Sequence, residues 1–178
     1  YTLDITDVFS GWTVPIAVKN KARIWTLEAL TLFKNQLPFP LLGLDCDNGS
    51  EFLNHHLINY CEENKITFTR SRPYRKNDNC FIEERNNSVV RKTVGYLRYE
   101  ENALKVMNHL YQKISLLINY FLPSFRLVKK ERVGSKIKKV YGEPVTPYER
   151  VLNSGNLTDK EKRKLKKQMH SIDLLKIH

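Results

Sequence analysis

Between Lys21 and Ser71 the spacing of apolar residues alternates between a helical and a strand-like period, and this constrains the fold more than any other feature. "KARIWTLEALTLFKNQL" places Ile24, Leu27, Leu30, Leu32 and Phe33 near one helical face. "FPLLGLD" is a short apolar run that reads as a buried strand. "SEFLNHHLINYCEEN" is again helical, with Ser50 as N-cap and Phe52, Leu57, Ile58 and Cys61 as apolar positions. "KITFTRS" returns to a strand. Strands that alternate with helices in this way call for a sheet flanked by helices, an α/β chain.

The flanking segments extend this pattern. "YTLDITDV" alternates, with Leu3, Ile5 and Val8 inward and Thr2, Asp4 and Thr6 outward. "SGW" turns the chain, and "WTVPIAV" returns as a second strand, so a hairpin precedes the alternating units and the sheet is mixed. Pro15 marks that strand as an edge or a bulge, because proline donates nothing to a ladder. After the loop "RSRPYRKNDN", a long helix is expected from Phe81 to Arg98, weakened near its end by Gly95. A strongly apolar helix, "ENALKVMNHLYQKISLLINYFL", then runs to Pro123. "VKKERVGSKIKKVYGEPVTPYERVL" is basic and reads as extended, and "LTDKEKRKLKKQMHSIDLLKI" as a charged helix. The expected organisation is a core over residues 1–126 and a basic C-terminal extension over residues 127–178.

Charge sharpens that division. Residues 1–126 carry 16 basic and 13 acidic side chains, a net +3, whereas residues 127–178 carry 14 and six, a net +8. A segment this basic fits a polyanion, nucleic acid first, because each cation that meets a phosphate releases counterions. A solubilising tail is the plainer account of the same charge. No apolar run approaches the roughly 18 residues a membrane span requires. Cys46, Cys61 and Cys80 form no C-x-x-C pair and read as reduced thiols, which suits the cytoplasm. His55 and His56 are neighbours that a helix would splay about 100° apart, a poor arrangement for one metal.

Acidic chemistry concentrates at "LLGLDCDNGSEF", where a strand ends on Asp45 and Asp47. Asp-Asn-Gly alone is ordinary turn chemistry. Glu83 gives it company: it lies 36 positions after Asp47, at a helix start behind a loop rich in arginine and lysine. In α/β sheets, ligands gather at the carboxyl ends of strands. A carboxylate there and a second on a helix can converge on a hard divalent cation, Mg²⁺ or Mn²⁺.

"DNGSEF", "TRSRPYRKNDN" and "FIEERNNSVVRKTVGYLR" together resemble the superfamily of retroviral integrases and bacterial insertion-sequence transposases. "DVFSGWTVPIAVKNKA", "NYFLPSFRL" and "YGEPVTPYERVL" extend the resemblance over residues 2–152. It implies a ribonuclease-H-like core, a mixed sheet flanked by helices, and an Asp, Asp, Glu triad with 35 residues usual between the last two acids. Asp47 matches the second acid. Glu83 matches the third, since the Glu-x-x-Asn pattern fits Glu83 to Asn86, and Glu84 points away. The first acid belongs to a strand before "TLDITDVFSGW", so the first strand is expected to be missing and the reading frame truncated or split. Asp4 and Asp7 align with the second strand, and Asp4 makes a poor substitute.

The resemblance further implies DNA integration by phosphoryl transfer, with strand nicking followed by attack of a 3′-hydroxyl, on transposon ends and target DNA. Two ions about 3.5–4 Å apart would serve the intact site. Without the first acid, this activity is expected to be impaired. Arg70, Arg72, Arg75 and Lys76 would hold the DNA backbone, with Tyr74 packing on a sugar or base. Asn87 and Arg91 follow Glu83 at i+4 and i+8 on one helix face, and Asn48 could steady the site or simply form the turn. Val89, Val90, Val94 and Leu97 read as core, and Trp12 and Trp25 as structural. A multimer is expected of an intact relative. The competing reading is a DNA-binding remnant that does not cut, and a ribonuclease-H-like nuclease is disfavoured by "PYRKND".

Overall fold

The computed structural model describes residues 1–47, 49, 52, 55–72 and 86–176. The chain is a mixture of helices and short strands that divides into two compact units, one of Tyr1–Thr6 with Thr13–Gln112, the other of Asp7–Trp12 with Lys113–His178.

In the first unit, β1 (Thr2–Thr6) and β2 (Thr13–Ala17) form the expected antiparallel hairpin, with Leu3 opposite Ile16 and Ile5 opposite Val14. Every residue of β2 is buried. Pro15 fits because its partner Asp4 lies in β1, the only strand paired with β2 among the described residues. Alternation alone would leave Asp4 facing water, but both of its carboxylate oxygens are shielded from solvent. Val8, expected to point inward, lies beyond the end of β1 and is exposed.

Helix α1 (Arg23–Gln36) buries Thr26, Ala29, Leu30 and Phe33, an i, i+3, i+4, i+7 stripe. Ile24 and Leu32, expected on that face, are exposed. The small side chains of Thr26 and Ala29 occupy the inward positions instead. Strand β3 (Gly43–Cys46) runs parallel to β4 (Thr67–Arg70), and α2 (His55–Glu63) lies between them in sequence and buries Leu57 and Cys61. The crossover makes the parallel pairing possible, since two parallel strands cannot be joined by a tight turn. Ile58 of α2 stays exposed, and Ser50 lies outside the described residues.

The described part of the expected long helix is a π-helical stretch, Asn86–Arg91, followed by a single turn, α3 (Lys92–Val94). It stops at Gly95, whose φ of 70° lies in the region only glycine enters freely, and does not reach Arg98. Val89 and Val90 are buried as expected, Val94 is half-buried, and Leu97 lies beyond the stop and is exposed.

Helix α4 (Leu104–Tyr120) supplies two polar ties within the first unit. Asn108 accepts from the Ala17 amide at 2.8 Å and donates to the Ala17 carbonyl at 3.0 Å, continuing the ladder where β2 ends. The Tyr111 hydroxyl lies 2.8 Å from Thr2 Oγ1.

The second unit holds β5 (Leu127–Val133), β6 (Lys136–Tyr141), α5 (Pro147–Leu152) and α6 (Asp159–Ser171). Trp12 is buried with its ring edge-on to Tyr120, at a centroid distance of 5.2 Å, and Tyr120 lies 5.4 Å from Tyr148. The segment read as extended is thus an antiparallel hairpin, and the charged helix is present with only Leu165 buried.

Thr146 and Glu149 cap α5 reciprocally: Thr146 Oγ1 accepts from the Glu149 amide at 3.1 Å, and Glu149 Oε2 accepts from the Thr146 amide at 2.9 Å. The bonds its carboxylate accepts from the Thr146 amide and, at 2.9 Å, from the Thr146 hydroxyl hold the Glu149 carboxyl below its usual range. Thr146→Ala is expected to cost about 1 kcal/mol at neutral pH in a denaturant melt. Because the folded-state pKa is depressed, the carboxylate's share of that stability is present above the ordinary glutamate pKa and is lost as pH falls through the lower, folded value. The gap between mutant and parent should therefore narrow in acid, to the share that the bond from the Glu149 amide to Thr146 Oγ1 supplies.

Among the described residues the ladders form three separate two-stranded sheets, β1–β2, β3–β4 and β5–β6, where a single mixed sheet was expected. No helix among them is long and apolar enough to cross a membrane.

Candidate functional site

The parallel pair β3–β4 decides where the acidic and basic candidates come together. Parallel strands end on the same side, so the residues that leave Cys46 and Arg70 share one edge of the sheet. Asp47 follows Cys46 directly, and Ser71 and Arg72 follow Arg70. The Ser71 amide donates to the Cys46 carbonyl at 2.9 Å, which extends the pairing one step beyond the strands. Arg70 and Arg72 are both exposed at this edge, as is Asp47.

Asp45 and Asp47 differ in their bonding. Asp45 pairs with Thr69 across the ladder, and both of its oxygens are engaged: Oδ1 accepts from Thr69 Oγ1 at 2.6 Å and Oδ2 from Ser71 Oγ at 3.4 Å. Asp47 stands past the strand end, and its Oδ1 accepts from the Gly49 amide at 2.9 Å, an Asx turn that fixes the carboxylate from its own loop. Asp45 is therefore a strap between strands, while Asp47 presents an exposed hard-oxygen donor of the type Mg²⁺ and Mn²⁺ take. The roles of Thr69 and Ser71 were open to reading in "TFTRS", where the period of two puts both hydroxyls on one face.

Cys46, buried between these two acids, reports their charge. Its thiol is pushed up to about 12, first by burial, then by the negative charges of Asp45 and Asp47, and last by Cys61. Burial also raises Cys61. Both thiols are structural at neutral pH, since the thiolate is the reactive form.

Asn87 and Arg91 are exposed on the π-helical stretch, and the Arg91 guanidinium lies 4.8 Å from the Tyr96 ring centroid. Val89 and Val90 of that stretch are buried, and it packs beside β1. Glu83, Asn48, Tyr74, Arg75 and Lys76 lie outside the described residues, as do Glu84 and Cys80. No group of three or more His, Cys, Asp or Glu side chains that could hold a metal occurs among the described residues.

No family model matches the chain. It is 38% identical over 150 residues to the uncharacterized protein y4rM of Sinorhizobium fredii (strain NBRC 101917 / NGR234), a match that covers 84% of this chain. The chain spans 43% of that relative's length. Among solved structures, it is similar to the simian T-cell lymphotropic virus intasome in complex with PP2A regulatory subunit B56 gamma, at 18% identity and a TM-score of 0.49, over 68% of this chain and 47% of that one. It is also similar to the HTLV-2 integrase catalytic core domain in complex with magnesium, in its trimeric form, at 18% identity and a TM-score of 0.48, over 68% of this chain and 82% of that one.

Proposed function

We propose that this chain carries part of a DDE-type transposase or integrase core, acting on DNA by metal-dependent phosphoryl transfer. The observation that supports the reading is that Asp47, Arg70 and Arg72 are all exposed at the carboxyl edge of one parallel strand pair. The sequence supplies Glu83 36 positions after Asp47, behind the cationic loop, in the arrangement that resembles the integrase and transposase superfamily. A ribonuclease-H-like core is the fold this implies.

Asp47 and Glu83 would hold the divalent cation, and Asp45 would brace the edge by tying β3 to β4. A bound ion there supplies charge stabilisation for the attacking and leaving oxygens of a phosphodiester. Arg70 and Arg72, with Arg75 and Lys76 in the loop, would neutralise and position the phosphate backbone. Tyr74 would pack on a sugar or base, and Asn48, Asn87 and Arg91 would add polar contacts. The triad's first acid has no match among these 178 residues, so the polypeptide by itself is expected to bind ion and DNA but turn over poorly. Transposon ends and target DNA are the proposed substrates, with a multimer as the working form.

The alternative is a DNA-binding protein that does not cut, favoured by the net +8 of residues 127–178. Anisotropy of a labelled duplex, titrated with the chain at constant ionic strength, separates the two. If carboxylates and phosphate share an ion, Mn²⁺ should tighten binding severalfold, and Glu83→Gln should remove that gain. Binding indifferent to Mn²⁺ in both proteins would leave only the alternative standing.

A further inference from the structure

The hairpin β5–β6 has a shape and a charge that the proposed site does not use. Its ladder pairs Lys130 with Lys139, Arg132 with Ile137 and Leu127 with Tyr141, with an irregularity between Leu127 and Lys129 that sets Val128 apart. Cross-strand partners share a face, as do residues two apart on one strand. One face therefore carries Leu127, Lys130, Arg132, Ile137, Lys139 and Tyr141: three cations, no acid and one aromatic ring. The opposite face carries Lys129, Lys136 and Lys138, but also Glu131, which forms an ion pair with Lys129.

Among the described residues, nothing covers either face. Every residue of both strands is exposed except Glu131, which is half-buried. Ile137 is 55% exposed and Tyr141 53% exposed, a strand surface that packed ribbons do not leave open. The turn is tight, with Gly134 at a φ of 61°, so the ribbon ends in a narrow tip. Arg132 Nε donates to the Gly134 carbonyl at 3.3 Å, which ties that guanidinium to the tip.

We infer that β5–β6 is a duplex-binding ribbon that enters the DNA major groove with the face bearing Lys130, Arg132, Lys139 and Tyr141. A major groove about 12 Å wide admits a two-stranded ribbon. Seven residues of strand extend about 20 Å, close to the rise of six base pairs. The unbroken positive charge of this face complements the phosphate rows that border the groove. It also argues against a second copy of the hairpin as the occupant, since two such faces would repel. The inference rests on the reading of the chain as a DNA-acting protein and assigns it a contact remote in sequence from Asp47.

The test is salt-dependent anisotropy of a labelled random-sequence duplex with the full chain. The triple variant Lys130→Ala, Arg132→Ala, Lys139→Ala should bind at least about tenfold more weakly at 0.1 M salt, with a log–log salt slope shallower by about 2.7. Lys130→Arg with Lys139→Arg should restore both, and circular dichroism should show all variants folded, since the altered side chains are exposed. Arg70→Ala with Arg72→Ala is the parallel variant for the proposed site. If that double variant loses affinity while the triple variant keeps the parental slope, the ribbon inference fails and the proposed function stands. If the parent chain binds no duplex at all, both fail. A dimer that the triple variant dissociates without loss of DNA affinity would overturn the inference in favour of a second copy.

Discussion

Asp47→Asn should weaken Mn²⁺ binding at least about tenfold, a loss of about 1.4 kcal/mol or more, in a titration followed by electron paramagnetic resonance. The substitution isolates charge from shape. Asparagine keeps an oxygen for the Gly49 amide that now bonds Asp47 Oδ1, so the Asx turn survives and only the anion is lost. Asp45→Asn is the matched control, since it removes an anion two residues away. Its oxygens are occupied by Thr69 and Ser71, so ion affinity should change by less than about threefold. Its effect should fall on stability instead, by about 1–2 kcal/mol, because hydrogen bonds to a charged acceptor are lost. Equal losses of ion affinity in the two variants would mean that the edge attracts cations only diffusely.

Arg150→Met should produce the largest loss of stability, about 2–4 kcal/mol, in the second unit. Arg150 Nη1 donates to the Ser10 carbonyl at 2.9 Å and to Ser124 Oγ at 3.0 Å, while Nη2 donates to the Ser124 carbonyl. One side chain therefore ties α5 to the turn Asp7–Trp12 and to the bridge that Ser124 makes with Val145. Methionine would retain the bulk of the stem but remove the donor from the Ser10 carbonyl and Ser124 Oγ, leaving the Ser124 carbonyl only the Val145 amide, and the penalty for unsatisfied groups exceeds the worth of the bonds themselves. Lysine should recover less than half of the loss, because an ammonium cannot reproduce the planar fork. Urea denaturation that showed a change below about 0.5 kcal/mol would contradict this role.

How much of this was legible in the sequence depended on the range of the interaction. The hairpin at the start, the parallel crossover and the burial of Val89 and Val90 follow from local period and turn chemistry. On α1, hydrophobicity pointed to Ile24 and Leu32, yet the buried stripe runs through Thr26 and Ala29, because small residues let neighbouring elements approach closely. Leu97 read as core until Gly95 ended the helix before it. The shielding of Asp4 broke its strand's alternation, and no neighbour in sequence signals that. Arg150 was opaque for a simpler reason: two of its three acceptors are backbone carbonyls, which carry no residue code, and all three lie 26 or 140 residues away. The place of Asp47 just past a strand end was legible in "LLGLDCDNG", whereas the bonding of Asp45 depended on the hydroxyls of Thr69 and Ser71 on the neighbouring strand.

The central claim, that Asp47 and Glu83 hold one cation between them, is tested most directly by mapping the ion on the backbone. Fe²⁺ replaces Mg²⁺ in the chain, ascorbate is added, and the hydroxyl radicals cut the peptide within a few ångströms of the ion. Two clusters of cuts are expected, one next to Asp47 and one next to Glu83, both suppressed by excess Mg²⁺ and by Asp47→Asn. Cuts confined to one cluster, or unchanged by that substitution, would contradict the account.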